Sequence, residues 1–122
     1  MTARPTVLLC DDSRALRMLA AGQLEEAGVQ VAGVAGNGLD AIAQYQALKP
    51  DLVLLDLVMP ECDGRQALAR ILEADPKARV VILSSLGAQS DIEECLRLGA
   101  LSYLQKPIDP EAMERVLRDA LA

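Results

Sequence analysis

Short apolar runs alternate with helical patterns five times along this 122-residue chain, and no linker or repeat interrupts their order. Most runs are continuously apolar, which is typical of strands that are buried on both faces of a parallel sheet. The second run is broken by Gln30 and Gly33, which favours a position at the edge of the sheet. The runs cover residues 6–10, 29–34, 52–55, 80–83 and 101–104. Because strands that alternate with helices imply right-handed crossovers, we predict an α/β fold with helices on both faces of the sheet.

The segments between the runs carry apolar residues at helical spacing and end at recognisable stop signals. The first helical pattern ends at Gly28, the third before Asp75 and the fourth at Gly99. In the last one, Asp109 is a candidate N-cap and Pro110 suits the first helical position. The apolar stripes consist of Leu16, Leu19, Ala20, Leu24 and Ala27, then Ala67, Leu68, Ile71 and Leu72, then Ile92, Cys95 and Leu96, and finally Met113, Val116, Leu117, Ala120 and Leu121.

Length and composition are those of one globular domain, so we predict a single domain over residues 1–122. The formal net charge of -6 argues against a nucleic-acid surface, because phosphate backbones need clustered Lys and Arg. No apolar run approaches the roughly 20 residues that span a bilayer, and the N-terminal segment lacks the pattern of a signal peptide. We therefore expect a cytoplasmic protein with neither membrane insertion nor direct nucleic-acid binding.

The cysteine and histidine content excludes several classes of site. Cys10, Cys62 and Cys95 are far apart and form no C-x-x-C pair, so we expect reduced thiols rather than disulfides or a zinc site. The sequence contains no histidine. This excludes Ser-His-Asp and Cys-His catalysis, as well as a phosphohistidine relay within the chain.

Polar residues stand at the carboxyl ends of four predicted strands, where this class of fold gathers its chemistry. Asp11 and Asp12 follow the first strand, and Asp56 ends the third. Ser84 ends the fourth strand, and Lys106 follows the fifth. Three carboxylates, a hydroxyl and an ammonium group are therefore predicted to converge on one rim of the sheet.

Each of these residues also has a simpler structural interpretation. Asp12 or Ser13 could cap the first helix, Ser84 could be a turn residue and Lys106 a solvated surface charge. Asp56 is the exception, because it closes an apolar run in which an unpaired carboxylate would be costly. The coincidence of all of them at one rim favours a functional site.

Clustered carboxylates repel one another unless a hard cation lies between them, and oxygen ligands of this kind suit Mg²⁺. Two carboxylates, a backbone carbonyl and waters would complete its octahedral shell. With Lys106 offsetting further charge, a phosphate dianion could approach a carboxylate nucleophile and form an aspartyl phosphate.

The motifs at the strand ends resemble the signature of the response-regulator receiver family, in the same order and at matching spacings over essentially the whole chain. They are Cys10-Asp11-Asp12-Ser13, the segment from Asp56 to Gly64, Ser84-Ser85 and Lys106-Pro107. The resemblance implies a flavodoxin-like, doubly wound, five-stranded parallel sheet of order 2-1-3-4-5 with five helices.

The resemblance also implies roles for the rim residues. Asp56 corresponds to the phosphorylated aspartate, and Asp11 and Asp12 to the acidic pair that holds Mg²⁺ together with Asp56. The backbone carbonyl of Val58 corresponds to a further metal ligand. Lys106 corresponds to the lysine that pairs with the phosphate, and its bond to the following proline is often cis in the family.

Two further residues resemble the switch of the family, namely Ser84 as the hydroxyl and Tyr103 as the aromatic residue of strand five. Tyr103 has a simpler interpretation as edge-strand packing.

Val58 and Leu86 stand at positions that influence phosphoryl lifetime in the family, and because both are apolar here we expect slow autodephosphorylation. The run Ser84-Ser85-Leu86-Gly87 is similar to chemotaxis receivers and to the receiver of the chemotaxis methylesterase.

The leading hypothesis is a stand-alone phospho-acceptor that is phosphorylated by a sensor histidine kinase. It would bind a downstream protein through the face formed by helix 4, strand 5 and helix 5, and would modify itself rather than act as an enzyme. The alternatives are a receiver cut from a larger response regulator, a pseudo-receiver that interacts constitutively, and a metal-dependent phosphatase with Asp56 as nucleophile and Asp63 as a distant second acid.

Two other features receive a structural interpretation. Gly33, Gly36 and Gly38 do not have the spacing of a dinucleotide fingerprint and no Walker lysine follows them, so we expect a flexible loop. Arg14 and Arg17, on the first helix near the site, could be contacts for a partner, but the preferred interpretation is that they are solvated charges.

Overall fold

The computed structural model describes residues 4–85 and 89–122, which form five strands and five helices. The strands make one parallel sheet of order β2-β1-β3-β4-β5. In chain order the elements are β1 (Thr6–Cys10), α1 (Arg14–Glu26), β2 (Gln30–Ala35), α2 (Gly38–Leu48), β3 (Leu52–Asp56), α3 (Gly64–Ala74), β4 (Val80–Ser84), α4 (Gln89–Leu98), β5 (Ser102–Gln105) and α5 (Pro110–Ala120). The predicted architecture, strand order and edge position of β2 are confirmed.

The core consists of two apolar layers, one on each face of the sheet. Neighbouring residues of a strand point to opposite faces, so Leu8 and Val53 lie in one layer while Val7 and Leu54 lie in the other. The first layer packs against α2, α3 and α4, and the second packs against α1 and α5. Because β1, β3 and β4 are covered on both sides, their residues must be apolar at nearly every position.

Side-chain caps and left-handed glycines set the helix ends as predicted. Ser13, rather than Asp12, caps α1 and accepts a hydrogen bond from the amide of Leu16 at 3.3 Å. Asp109 caps α5 and accepts from the amide of Ala112 at 3.0 Å. Gly28 and Gly99 adopt φ values of 89° and 127°, conformations that a residue with a Cβ rarely adopts.

Three residues of the predicted apolar stripes lie at the surface. Leu19 of α1 is 57% exposed, Leu96 of α4 is 39% exposed, and Ala27 is an exposed C-cap. Leu19 follows Met18, which is itself 72% exposed, and both lie on the part of α1 that faces away from Ala20 and Leu24 in the core. Helical spacing alone did not determine the width of the buried stripe.

The expectation of a flexible Gly-rich loop is wrong. Gly33 belongs to β2, and Gly38 is the first residue of α2. A Cβ on Gly38 would collide with the backbone carbonyl of Cys62, which precedes α3. Glycine is therefore needed at position 38 because two backbone segments approach each other closely.

We predict that Gly38→Ala lowers the free energy of unfolding by about 1–3 kcal/mol, because the colliding atom is backbone and cannot rotate away. Gly22→Ala is the matched control, since a Cβ at this α1 position would meet no atom within 4 Å. It should raise stability by about 0.5–1 kcal/mol through helix propensity. Urea unfolding of both variants tests the prediction, and an unaffected Gly38→Ala would contradict it.

Candidate functional site

The rim at the carboxyl ends of the strands brings together the residues singled out from the sequence. Asp11 directly follows β1, Asp56 is the last residue of β3, and Ser84 is the last residue of β4. Lys106 directly follows β5, and its backbone amide donates to the carbonyl of Ser84 at 2.8 Å. The parallel register of β1, β3, β4 and β5 thus places these four residues at one edge.

Three carboxylates form the centre of this rim. One oxygen from each of Asp11, Asp12 and Asp56 lies within 4.8 Å of the other two. Asp11 is fully buried and Asp56 is 3% exposed, whereas Asp12 is open to solvent. The cluster therefore combines two carboxylates that are withdrawn from water with one that can be reached from outside.

Lys106 supplies the positive charge that faces the two buried carboxylates. Its Nζ lies 2.8 Å from Asp11 Oδ2 and 3.0 Å from Asp56 Oδ2. Burial would lower the pKa of the Lys106 ammonium, but its hydrogen bonds and charge interactions with Asp11 and Asp56 outweigh burial and raise that pKa. The peptide bond from Lys106 to Pro107 is cis, as the family resemblance implied.

Backbone amides hold the two buried carboxylates in place. The amide of Ser13 donates to Asp11 Oδ1 at 2.8 Å, and the amide of Val58 donates to Asp56 Oδ1 at 3.2 Å. Burial raises the pKa of Asp56, and the hydrogen bonds from Lys106 and from the Val58 amide only partly oppose this shift. Ionised Asp56 is thus less stable in the fold than in water and gains from any further cation placed beside it.

The donor set fits a hard divalent cation. Asp11 Oδ2 is buried, and its polar neighbour in the described part of the chain is the ammonium of Lys106 at 2.8 Å. The bond from the Val58 amide keeps this residue beside the acidic cluster, while its side chain is 74% exposed. Carboxylate and carbonyl oxygens are the ligands that Mg²⁺ prefers.

The two predicted switch residues lie in contrasting environments. Ser84 is fully buried, and its hydroxyl has no hydrogen-bond partner among residues 4–85 and 89–122. Tyr103 lies on the edge strand β5 beside Ile82 and is 46% exposed. Leu86, which was expected to influence phosphoryl lifetime, lies outside the described residues.

The interpretation of Arg17 as a solvated charge is wrong. Its Nη1 donates to the backbone carbonyl of Asp11 at 2.7 Å, and the residue is partly buried. Arg14, one turn earlier on α1, is exposed as expected. A signal for Arg17 was its position one turn after the start of a helix whose N-cap, Ser13, follows two acidic residues.

We predict that Lys106→Met destabilises the fold by up to about 3 kcal/mol at neutral pH, because two buried carboxylates lose their counter-charge. Since burial raises the pKa of Asp56, this carboxyl becomes neutral in the fold at a higher pH than in the unfolded chain. The loss of stability in Lys106→Met should therefore become smaller as the pH falls towards the ordinary pKa of an aspartate. It should also shrink above the raised pKa of Lys106, where the wild-type ammonium itself loses its charge.

Urea unfolding across this pH range measures the effect, with Lys77→Met as the control for removing an exposed lysine charge. A loss for Lys106→Met that did not change between neutral and acidic pH would contradict the charge-pairing explanation.

In the described part of the chain, no helix has both the length and the apolar character that crossing a membrane requires.

The family model of the response regulator receiver domain matches residues 7–118. The chain is 37% identical to the chemotaxis protein CheY of Thermotoga maritima over 111 residues, covering 91% of this chain and 92% of that protein. It is 43% identical over 104 residues to a protein-glutamate methylesterase/protein-glutamine glutaminase of Archaeoglobus fulgidus, covering 83% of this chain and 29% of that protein.

Solved structures show the same relationship. The CheX-CheY-BeF3-Mg²⁺ complex of Borrelia burgdorferi matches with a TM-score of 0.88 and 32% identity, covering 93% of this chain and 87% of the matched chain. The response regulator domain of Thermotoga maritima CheB matches with a TM-score of 0.88 and 32% identity, covering 98% of this chain and 97% of that domain. The matched length, the sheet order and the acidic rim agree, and the chain therefore belongs to the response-regulator receiver family.

Proposed function

We propose that this chain is a phosphorylation-dependent signalling switch that accepts a phosphoryl group on Asp56 from a sensor histidine kinase. The observation that carries the proposal is the environment of Asp56. It ends the central strand β3, its oxygens are grouped with those of Asp11 and Asp12, and Lys106 Nζ lies 3.0 Å from Oδ2. Asp56 is thus a carboxylate held in position for attack, with a positive charge beside it that can offset the negative charge of a phosphoryl group.

In the proposed reaction, an oxygen of Asp56 attacks the phosphorus of a phosphohistidine or of a small acyl phosphate. The new O–P bond forms as the P–N or P–O bond to the donor breaks, and the donor leaves with the electron pair. Asp56 becomes a mixed anhydride, and the ammonium of Lys106 stays beside the charge that has been transferred. The chain modifies itself in this reaction instead of turning over a separate substrate.

Asp11, Asp12 and Asp56, with the backbone carbonyl of Val58, are proposed to hold Mg²⁺. When bound, the cation offsets the charge that accumulates as a phosphate dianion meets a carboxylate. The residues of this chain provide the remaining requirements. Lys106 adds the second positive charge, and the buried apolar strand behind Asp56 fixes the direction of the nucleophile.

The phosphoryl donor is proposed to be a separate molecule, because these 122 residues contain no histidine. The likeness to chemotaxis proteins makes a chemotaxis kinase the first candidate. The match to part of a methylesterase supports one alternative, in which the same switch operates within a larger response regulator. The chemistry at Asp56 is identical in the two cases.

The signal is proposed to leave the site through Ser84 and Tyr103. The hydroxyl of Ser84 has no hydrogen-bond partner in the described ranges 4–85 and 89–122, and we propose that it donates to a phosphoryl oxygen; its movement would make room for Tyr103 to turn inwards from its half-exposed position. A downstream protein would then bind the face formed by α4, β5 and α5, which exposes Leu96, Leu98, Leu101 and Tyr103. Exposed apolar side chains on these elements suit a protein partner.

Intact-mass measurement tests the acceptor. With Mg²⁺ and acetyl phosphate, we expect one added phosphoryl group on the wild type and none on Asp56→Asn, because the amide lacks the nucleophilic oxygen. Asp51→Asn is the matched control, since Asp51 is an exposed aspartate directly before β3, at the end opposite Asp56, and its substitution should leave phosphorylation unchanged. An adduct that persisted in Asp56→Asn would refute the assignment.

Chemical shifts of Tyr103 test the switch, with beryllofluoride as a stable mimic of the phosphoryl group. The wild type should show a change at Tyr103, whereas Ser84→Ala should still bind the mimic at Asp56 but lose most of that change. The reason is that alanine lacks the hydroxyl that is proposed to donate to the added oxygens. A full wild-type shift at Tyr103 in Ser84→Ala would show that the signal does not pass through Ser84.

A further inference from the structure

We propose that Arg17 is a positioning residue for the Mg²⁺ site, and that Gly36 is the complementary residue that makes room for its guanidinium. The inference rests on the proposed function of the acidic rim. It concerns how the turn that carries Asp11 and Asp12 is kept in a ligating conformation.

The guanidinium of Arg17 is directed at one peptide group. Its Nη1 donates to the backbone carbonyl of Asp11 at 2.7 Å, a short charge-assisted hydrogen bond. That carbonyl belongs to the peptide that joins Asp11 to Asp12. Arg17 therefore fixes the plane of the bond between two residues of the acidic cluster.

The other hydrogen bonds of this turn involve Asp11, so the orientation of Asp12 is set mainly by the plane of the peptide between the two residues. The amide of Asp11 donates to the carbonyl of Ala35 at 2.9 Å, and its carboxylate accepts from the amide of Ser13 at 2.8 Å. Among the described residues, no hydrogen bond holds the exposed carboxylate of Asp12. The direction in which Asp12 points thus depends strongly on the peptide that Arg17 holds.

Gly36 provides the space for this arrangement. A Cβ at position 36 would lie 3.1 Å from Arg17 Nη1, closer than an ordinary van der Waals contact. Gly36 directly follows β2, the strand whose last carbonyl, that of Ala35, accepts from Asp11. A Cβ at position 36 would require the guanidinium to shift by a few tenths of an ångström, and a branched side chain would press on it further, in both cases without changing any charge.

A purely electrostatic role and a positioning role of Arg17 predict opposite effects on Mg²⁺ affinity, so an experiment can distinguish them. If Arg17 acted only through its charge, then removing a cation beside a cation site would tighten Mg²⁺ binding. If it positions the turn, then its removal should weaken binding, because groups that orient metal ligands typically contribute on the order of tenfold or more to affinity.

The experiment compares Mg²⁺ dissociation constants of the full chain, measured from backbone amide shifts during titration with MgCl2. We expect Arg17→Met to bind Mg²⁺ about tenfold more weakly than the wild type. Arg14→Met is the matched control, because it removes the same charge from the exposed preceding turn of α1, and it should bind as tightly as the wild type or slightly more tightly. In the metal-free protein, the amides of Asp12 and Ser13 should exchange with solvent faster in Arg17→Met than in Arg14→Met.

Gly36→Val tests the same contact with all charges kept. It should weaken Mg²⁺ binding by itself but by less than twofold when added to Arg17→Met, because the displaced contact is then already absent. The phosphorylation rate of Arg17→Met with acetyl phosphate should approach that of the wild type at saturating Mg²⁺, since the acceptor is untouched.

Equal Mg²⁺ affinity in Arg17→Met and Arg14→Met, or tighter binding in Arg17→Met, would overturn the positioning role while leaving the proposed function intact. Failure of the proposed metal site gives a different result, in which the wild type binds no Mg²⁺ or Asp12→Ala binds it equally well. Urea unfolding of each variant separates a local effect from a general loss of stability.

Discussion

One ammonium group and two buried carboxylates meet at the end of the sheet, and the arrangement of the rim depends on this contact. Lys106 reaches from the end of β5 past β4 to Asp56 on β3 and Asp11 after β1. Like charges so close together are costly in a medium that screens less than water, and the single lysine faces three carboxylates with Asp12 included. The rim therefore retains an excess of negative charge, which lowers stability and at the same time creates affinity for a cation.

The segment that follows Asp56 is as tightly constrained as Asp56 itself. The amide of Gly64 donates to the carbonyl of Leu57 at 3.0 Å, and a Cβ on Gly64 would collide with the carbonyl of Asp56. The next residue, Arg65, pairs with Glu94 of α4 at 2.8 Å. A short series of contacts thus joins Asp56, the proposed acceptor, to the start of α3 and from there to α4.

The fold and the acidic rim could be predicted from the sequence because both follow from local patterns. Strands buried on both faces need continuous apolar runs, and parallel strands end at one edge, so Asp56 and Lys106 had to lie near each other. Gly38 was misinterpreted because the need for glycine there arises only when Cys62, distant in the sequence, packs against α2. The contact of Arg17 spans only six residues, but it depends on the turn after β1 bringing the carbonyl of Asp11 to the guanidinium, which helical spacing does not reveal.

Asp11 and Asp12 show how two adjacent residues of the same type can have different physical roles. Asp11 is fully buried, paired with Lys106 and bonded to the Ser13 amide, so its carboxylate has essentially one position. Asp12 is exposed, so its carboxylate can adjust to an incoming charge only as far as the backbone allows. If these carboxylates hold Mg²⁺ as proposed, a rigid ligand alone could not follow the change in charge on phosphorylation of Asp56, and a mobile ligand alone would lose entropy on every binding event. The peptide between these two residues joins the buried carboxylate to the exposed one, and its carbonyl is the group that accepts the hydrogen bond from the guanidinium of Arg17.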